Sequence, residues 1–239
     1  MSNLINIKKM TKVSFKNSVI VFAIGVVMVS CGGRGGNQQS KGEALEKAIE
    51  GQQSEATTSS QSGPFGLNMG MTLAQVKSVT GKNPELVRDD LYEVTPPNPH
   101  DMFESYIVQI SPKYGVVWIK AIGKDITTNG HGTQLTTAFD NLVSSIERTY
   151  GEYKRTDFLS RGSIWNEPND FMMGLLKKDR YLMAAWENEY GSTLPDNLKS
   201  IGVIATAISS TEGYISLEYS SQDEEKVDAE KKAKQDSVF

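Results

Sequence analysis

The sequence predicts an α+β fold over residues 65–220, with helices packed on one face of an antiparallel sheet. Two amphipathic stretches with marked ends predict helices, one between Thr72 and Gly81 and a longer one between Thr133 and Gly151. Consecutive strand-like stretches separated by short turns predict antiparallel pairing, and the strict alternation of strand and helix that a parallel sheet needs is missing. The order of helix followed by strands occurs twice, which divides the domain into candidate tandem halves, 65–130 and 131–220.

The chain begins with Lys8, Lys9, Lys12 and Lys16 and no acidic residue, followed by the apolar run SVIVFAIGVVMVS over residues 18–30 and the only cysteine, Cys31. A basic flank, a short apolar core and a small residue before a cleavage point are the build of a secretory signal peptide, here residues 1–30. Met28, Val29, Ser30 and Cys31, followed by Gly32, resemble the lipobox of bacterial lipoproteins, although Met28 stands where that family usually carries a branched aliphatic residue. The resemblance implies that Cys31 is acylated, palmitate included, and becomes the first residue of the mature chain. It also implies a cell-envelope location, on the periplasmic side of the outer membrane in a Gram-negative cell. The lipid on Cys31 then holds the chain at the membrane, since two or three acyl chains give stable attachment. Residues 31–64 are rich in Gly, Gln, Ser and Thr and bury too little to offset the entropy of ordering, so they read as a flexible tether. Its root-mean-square reach is on the order of 30 Å.

The folded part starts at Phe65. Thr72 and Gln75 make a capping box, Met71 and Val76 are placed as a hydrophobic staple, and Gly81 stops the first helix, whose Leu73, Val76 and Val79 are expected to face inward. The proline-bearing stretch from Tyr92 to Asp101 reads as a loop. Phe103–Ile110 and Val116–Ile122 read as a hairpin, with Tyr106, Val108 and Ile110 on one face. Thr133 is expected to cap the second helix, whose Leu135, Ala138, Phe139, Leu142, Val143, Ile146 and Tyr150 follow helical spacing. Aligning Gly81 with Gly151 matches Leu73 to Val143 and Val76 to Ile146. Tyr153–Leu159, a hairpin of Phe171–Leu176 with Tyr181–Asn188, and a pair of Ile201–Ile208 with Tyr214–Tyr219 complete the expected strands. Residues 221–239 form a charged tail, with Glu224 to Asp228 and Asp228 to Lys232 at one-turn spacing, read as a polar helix or a frayed, solvated end.

The segment from Gly66 to Gly81, with Gly70, Met71, Thr72 and Val76, resembles the helix start of small outer-membrane lipoproteins of the SmpA/OmlA type and of domains with the fold of β-lactamase inhibitor protein. The resemblance covers about one helix. It implies helices on one face of an antiparallel sheet and a protein-binding role, and it carries no binding residue across.

Composition narrows the chemistry. Lys+Arg 25 against Asp+Glu 29 gives a net charge of -4, and loss of the four signal-peptide lysines leaves 21 against 29, or -8 on side chains. An acidic body without a basic stripe argues against nucleic-acid binding. With Cys31 lipidated no thiol remains for disulfides or metal, and stability must come from a core for which 38% hydrophobic residues suffice. His100 and His131 form no His-x-x-x-His pair, no metal or other cofactor is expected, and no G-x-S-x-G elbow is present.

Trp165, Asn166, Glu167 and Pro168 contain an N-E-P triplet that resembles the acid/base motif of barrel glycosidases. That resemblance implies Glu167 as general acid of an envelope glycan hydrolase, but the chemistry needs a second carboxylate about 5 to 5.5 Å away in a retaining enzyme, and a barrel of about 250 residues. The favoured reading is a non-catalytic domain that binds a protein or another envelope component. Tyr92, Phe103, Tyr114 and Trp165, in or next to expected loops, are the candidate partner-binding aromatics, whereas Trp118 and Trp186, inside expected strands, are candidate core.

Overall fold

The computed structural model describes residues 63–195 and 197–237. The signal peptide, Cys31 and the tether up to residue 62 lie outside the described residues. Those from residue 63 onward belong to one compact unit. Four α-helices are described, α1 (Leu73–Thr80), α2 (Thr133–Tyr150), α3 (Phe171–Lys177) and α4 (Glu224–Asp236). Nine strands form one antiparallel sheet: β1 (Glu85–Arg88), β2 (Leu91–Val94), β3 (Phe103–Ser111), β4 (Gly115–Gly123), β5 (Ile126–Thr127), β6 (Lys154–Leu159), β7 (Arg180–Trp186), β8 (Ser200–Ala207) and β9 (Glu212–Ser220). The fold is α+β, as the sequence predicts.

The strand order is β1-β2-β3-β4-β9-β8-β7-β6, with β5 paired to β9 off that path. A helix followed by a four-stranded meander therefore occurs twice, and the two meanders join at their last strands, β4 and β9, in the middle of the sheet. At that junction Lys120 stands directly opposite Glu218. The matched helices are treated unequally: Val76 and Ile146 are both buried, but Val143 is buried where Leu73 is exposed.

The capping box of α1 is present, with Thr72 Oγ1 accepting the Gln75 N–H and Gln75 Oε1 accepting the Thr72 N–H at 2.8 Å, and Gly81 closes the helix in the left-handed conformation. Its inward face is narrower than expected. Val76 is buried, whereas Leu73 and Val79 are each 41% exposed, because on a two-turn helix they sit to either side of the line of contact. The chain entering α1 is tied to the sheet instead, Gly70 N–H donating to Val116 O and Val116 N–H to Met71 O, both at 2.8 Å. This close approach requires Gly115, where a Cβ would lie 2.2 Å from Gly70 O.

The core lies between α2, α3 and the first face of the sheet. Leu135, Phe139, Leu142, Val143 and Ile146 of α2 are buried, in one cluster with Phe171, Met172 and Leu175 of α3 and with Val108, Ile119, Leu182, Trp186, Val203, Ile215 and Leu217 of the strands. Phe65 enters the same cluster, its ring 4.9 Å from Tyr106 and 5.9 Å from Tyr219. Trp118 and Trp186 are both buried. The Trp186 indole donates to Gly151 O at 3.1 Å.

Four expectations need correction. Phe171–Leu176 is not a strand but α3: an unbroken apolar run suits a buried helix as well as a buried strand, and the turn at Pro168–Asp170 delivers it in helical geometry with Lys178 as a left-handed stop. The hairpin of β1 and β2 runs into the stretch read as a loop, since Tyr92 to Val94 belong to β2, and its tight turn is made by Asp89 at φ 51, a conformation aspartate tolerates. Thr133 is the first residue of α2 rather than its cap; Gly132 holds the cap position, and Asn129 Oδ1 and Thr128 Oγ1 accept the first free N–H groups. The charged tail takes the helical one of its two readings, as α4, and it is not a solvated end, since Val227 is buried against the body. Among the described residues no helix is long and apolar enough to cross a membrane.

Candidate functional site: the sheet face opposite the helices

Side chains on a strand alternate between faces, and directly paired residues share one. With α1, α2 and α3 packed on the first face, the registers define what the second face carries. One row across it reads Ile107, Lys120, Glu218, Gly202 and Ala185 from β3 to β7. On one side runs Gln109, Trp118, Ser220 and Ser200, and on the other Ser105, Ile122, Ser216, Ile204 and Met183. Large apolar residues dominate the first face, whereas the second mixes serine, glycine and ionisable residues with a few rings and aliphatics.

At the centre, Lys120 Nζ lies 2.8 Å from Glu218 Oε1, with the two side chains only 3% and 9% exposed. Two charges removed from water to this degree cost several kcal/mol each unless paired, so the geometry of each depends on the other. The Ser105 hydroxyl donates to Glu93 Oε1 at 3.0 Å, and the Gln109 amide donates to Asp90 Oδ2 at 2.9 Å. Gln109 Oε1 is buried with no hydrogen-bond partner among the described residues. On β9 the Tyr214 phenol is pushed up to about 12, chiefly by burial, and stays protonated at neutral pH.

Toward β7 and β6 the face opens. Gly202, paired to Glu218, leaves a gap: a Cβ placed there meets no atom within 4 Å. Ala185, Met183 and Ile204 around it are half-buried; four residues along β7 from Ala185, at the β6 edge, Phe158 stacks on Tyr181 at 6.5 Å and is 44% exposed. The gap thus has a charged pair on one side and small or apolar groups on the other. Where β7 ends, burial and the neighbouring Glu189 raise the carboxyl of Glu187 above the usual carboxylate range, opposed by Lys199 and Lys154.

The four candidate aromatics do not converge on this face. Tyr92 lies in β2, half-buried against the core. Phe103 is buried and not a loop ring, edge-on to Phe65 and Tyr106 at 5.8 and 6.1 Å. The Tyr114 hydroxyl donates to Glu230 Oε1 at 3.2 Å, and Lys113 Nζ lies 4.7 Å from its ring. Trp165 is half-buried in the loop before α3, its N–H donating to Ser163 Oγ at 3.1 Å. Glu167 is exposed at the start of the turn that leads into α3, its backbone N–H donating to Asp170 Oδ2 at 3.4 Å. His100 and His131 are exposed, and no group of three or more His, Cys, Asp or Glu side chains among the described residues could hold a metal ion.

Sequence reasoning missed the second face because its members are separated by up to about a hundred residues and carry no motif. The one available signal was a lysine and a glutamate inside strands otherwise apolar, IKAI and SLEY, where a buried charge needs a partner. No known family model, curated protein or solved structure matches this chain. Its function must therefore be argued from its own residues.

Proposed function

We propose that this chain is an envelope lipoprotein, anchored through Cys31, whose α+β domain binds a protein or another envelope component without catalysis, using the β8–β6 side of the sheet face opposite the helices. The anchor rests on the lipobox-like Met28 to Gly32 after a basic and apolar leader. The binding role rests on one observation, the open space above Gly202 on β8, beside a buried ion pair and the half-buried Ala185, Met183 and Ile204. A rigid sheet with a recess flanked by both charge and apolar surface offers a partner an anchoring point for a protruding side chain at little cost in reordering.

Two tests address the two halves of this reading. Replacing Cys31 by Ser abolishes metabolic palmitate labelling; unchanged incorporation overturns the anchor. Gly202→Arg fills the recess without meeting a backbone atom, so it leaves the unfolding midpoint of the domain unchanged within about 0.5 kcal/mol. The same change removes capture of the partner that wild-type protein pulls from detergent-solubilised envelope. Undiminished capture by Gly202→Arg would move the binding surface elsewhere.

A further inference from the structure

We propose that α4 is a reversible strap: a helix held at one end of the sheet mainly by exposed ion pairs, which leaves and returns without unfolding the body. Its composition comes first. Nine of its thirteen residues are charged, and Val227 is its only buried residue. A helix of this length with so small an apolar contact is marginal in isolation, so α4 exists as a helix only while it is docked.

The docking contacts are electrostatic and span the sheet. Glu225 pairs with Lys199 just before β8, Glu230 with Lys113 in the β3–β4 turn at 2.8 Å, and Lys231 with Asp90 in the β1–β2 turn at 2.5 Å. These positions all lie at one end of the sheet, where β8, β4 and β2 begin and β9 and β3 end. Of the six side chains, only Asp90 is mostly buried. Exposed pairs are individually weak and are screened as salt rises, the Debye length falling from about 10 Å at 0.1 M to about 3 Å at 1 M.

Asp90 connects the strap to the polar face. One of its oxygens accepts from Lys231 of α4 and the other from the Gln109 amide, the residue whose Oε1 has no partner among the described residues. Departure of α4 removes the cation from Asp90 and returns that carboxylate to solvent, at the corner of the face where an acceptor already stands unpaired.

Amide hydrogen exchange of the full chain, followed by mass spectrometry, tests the strap. The probe is sodium chloride alone, at 0.02 M and 1 M. Between these conditions the amides of residues 227–237 exchange about tenfold faster, the amount expected if the two exposed pairs and the half-buried Lys231–Asp90 pair are screened together. Amides of β3, β4 and β9 keep their slow exchange. Lys231→Ala raises exchange in α4 at low salt and flattens its salt response, with the central strands unchanged. Exchange of α4 that tracks the central strands at both salt concentrations, or that ignores both salt and Lys231→Ala, overturns the proposal.

Discussion

Truncation of Phe139 to Ala lowers the stability of the domain by roughly 3 to 5 kcal/mol, a large share of the margin of an ordinary domain. Phe139 is fully buried at the centre of α2, the longest helix described, with the Arg155 guanidinium carbon 5.2 Å from its ring on the outer side. Removal of the ring takes away its transfer free energy and leaves a cavity that strands on one side and helix backbone on the other cannot close. The neighbouring Asp140, whose carboxylate meets Arg155 at 2.6 Å in an exposed pair, tolerates Ala within about 1 kcal/mol. Denaturant melts of a soluble form beginning at Gly63 measure both. Equal effects from the two substitutions would place the α2 stripe outside the core.

The second large effect belongs to Lys120 and Glu218. Glu218→Ala strands a buried ammonium, and Lys120→Ala a buried carboxylate, so each single change costs roughly 3 to 5 kcal/mol. The double change Lys120→Met with Glu218→Leu removes both desolvation penalties and is neutral or stabilising by up to about 4 kcal/mol. A double-mutant cycle in the same melts supplies the coupling. Additive losses would show that each charge is satisfied by something other than its cross-strand partner. If the double variant folds well but no longer captures the envelope partner that wild-type captures, the pair serves binding and not stability.

The sequence by itself determined the local elements whose signals are short-range. Thr72 with Gln75, the three-and-four spacing of Leu135, Phe139, Leu142 and Ile146, and the turns after Ser111 and Ile208 each act within a few residues. The helices α1 and α2 and the hairpins β3–β4 and β8–β9 were therefore legible. The α+β class followed from their order. Tertiary structure decided what local pattern leaves degenerate. Phe171 to Leu176 is apolar throughout and fits either period, so it became helix because the sheet already had β7 beside β8 and the first face needed a cover there. Glu224 to Asp236 is charged at nine of its thirteen positions, a pattern that suits a polar helix and a solvated end alike, and it is α4 with distant lysines and Asp90 meeting its charges. The candidate site is the extreme case: Lys120, Gly202 and Glu218 acquire a common surface only when β4, β9 and β8 pair in register, since pairing across the sheet and not spacing along the chain brings them together.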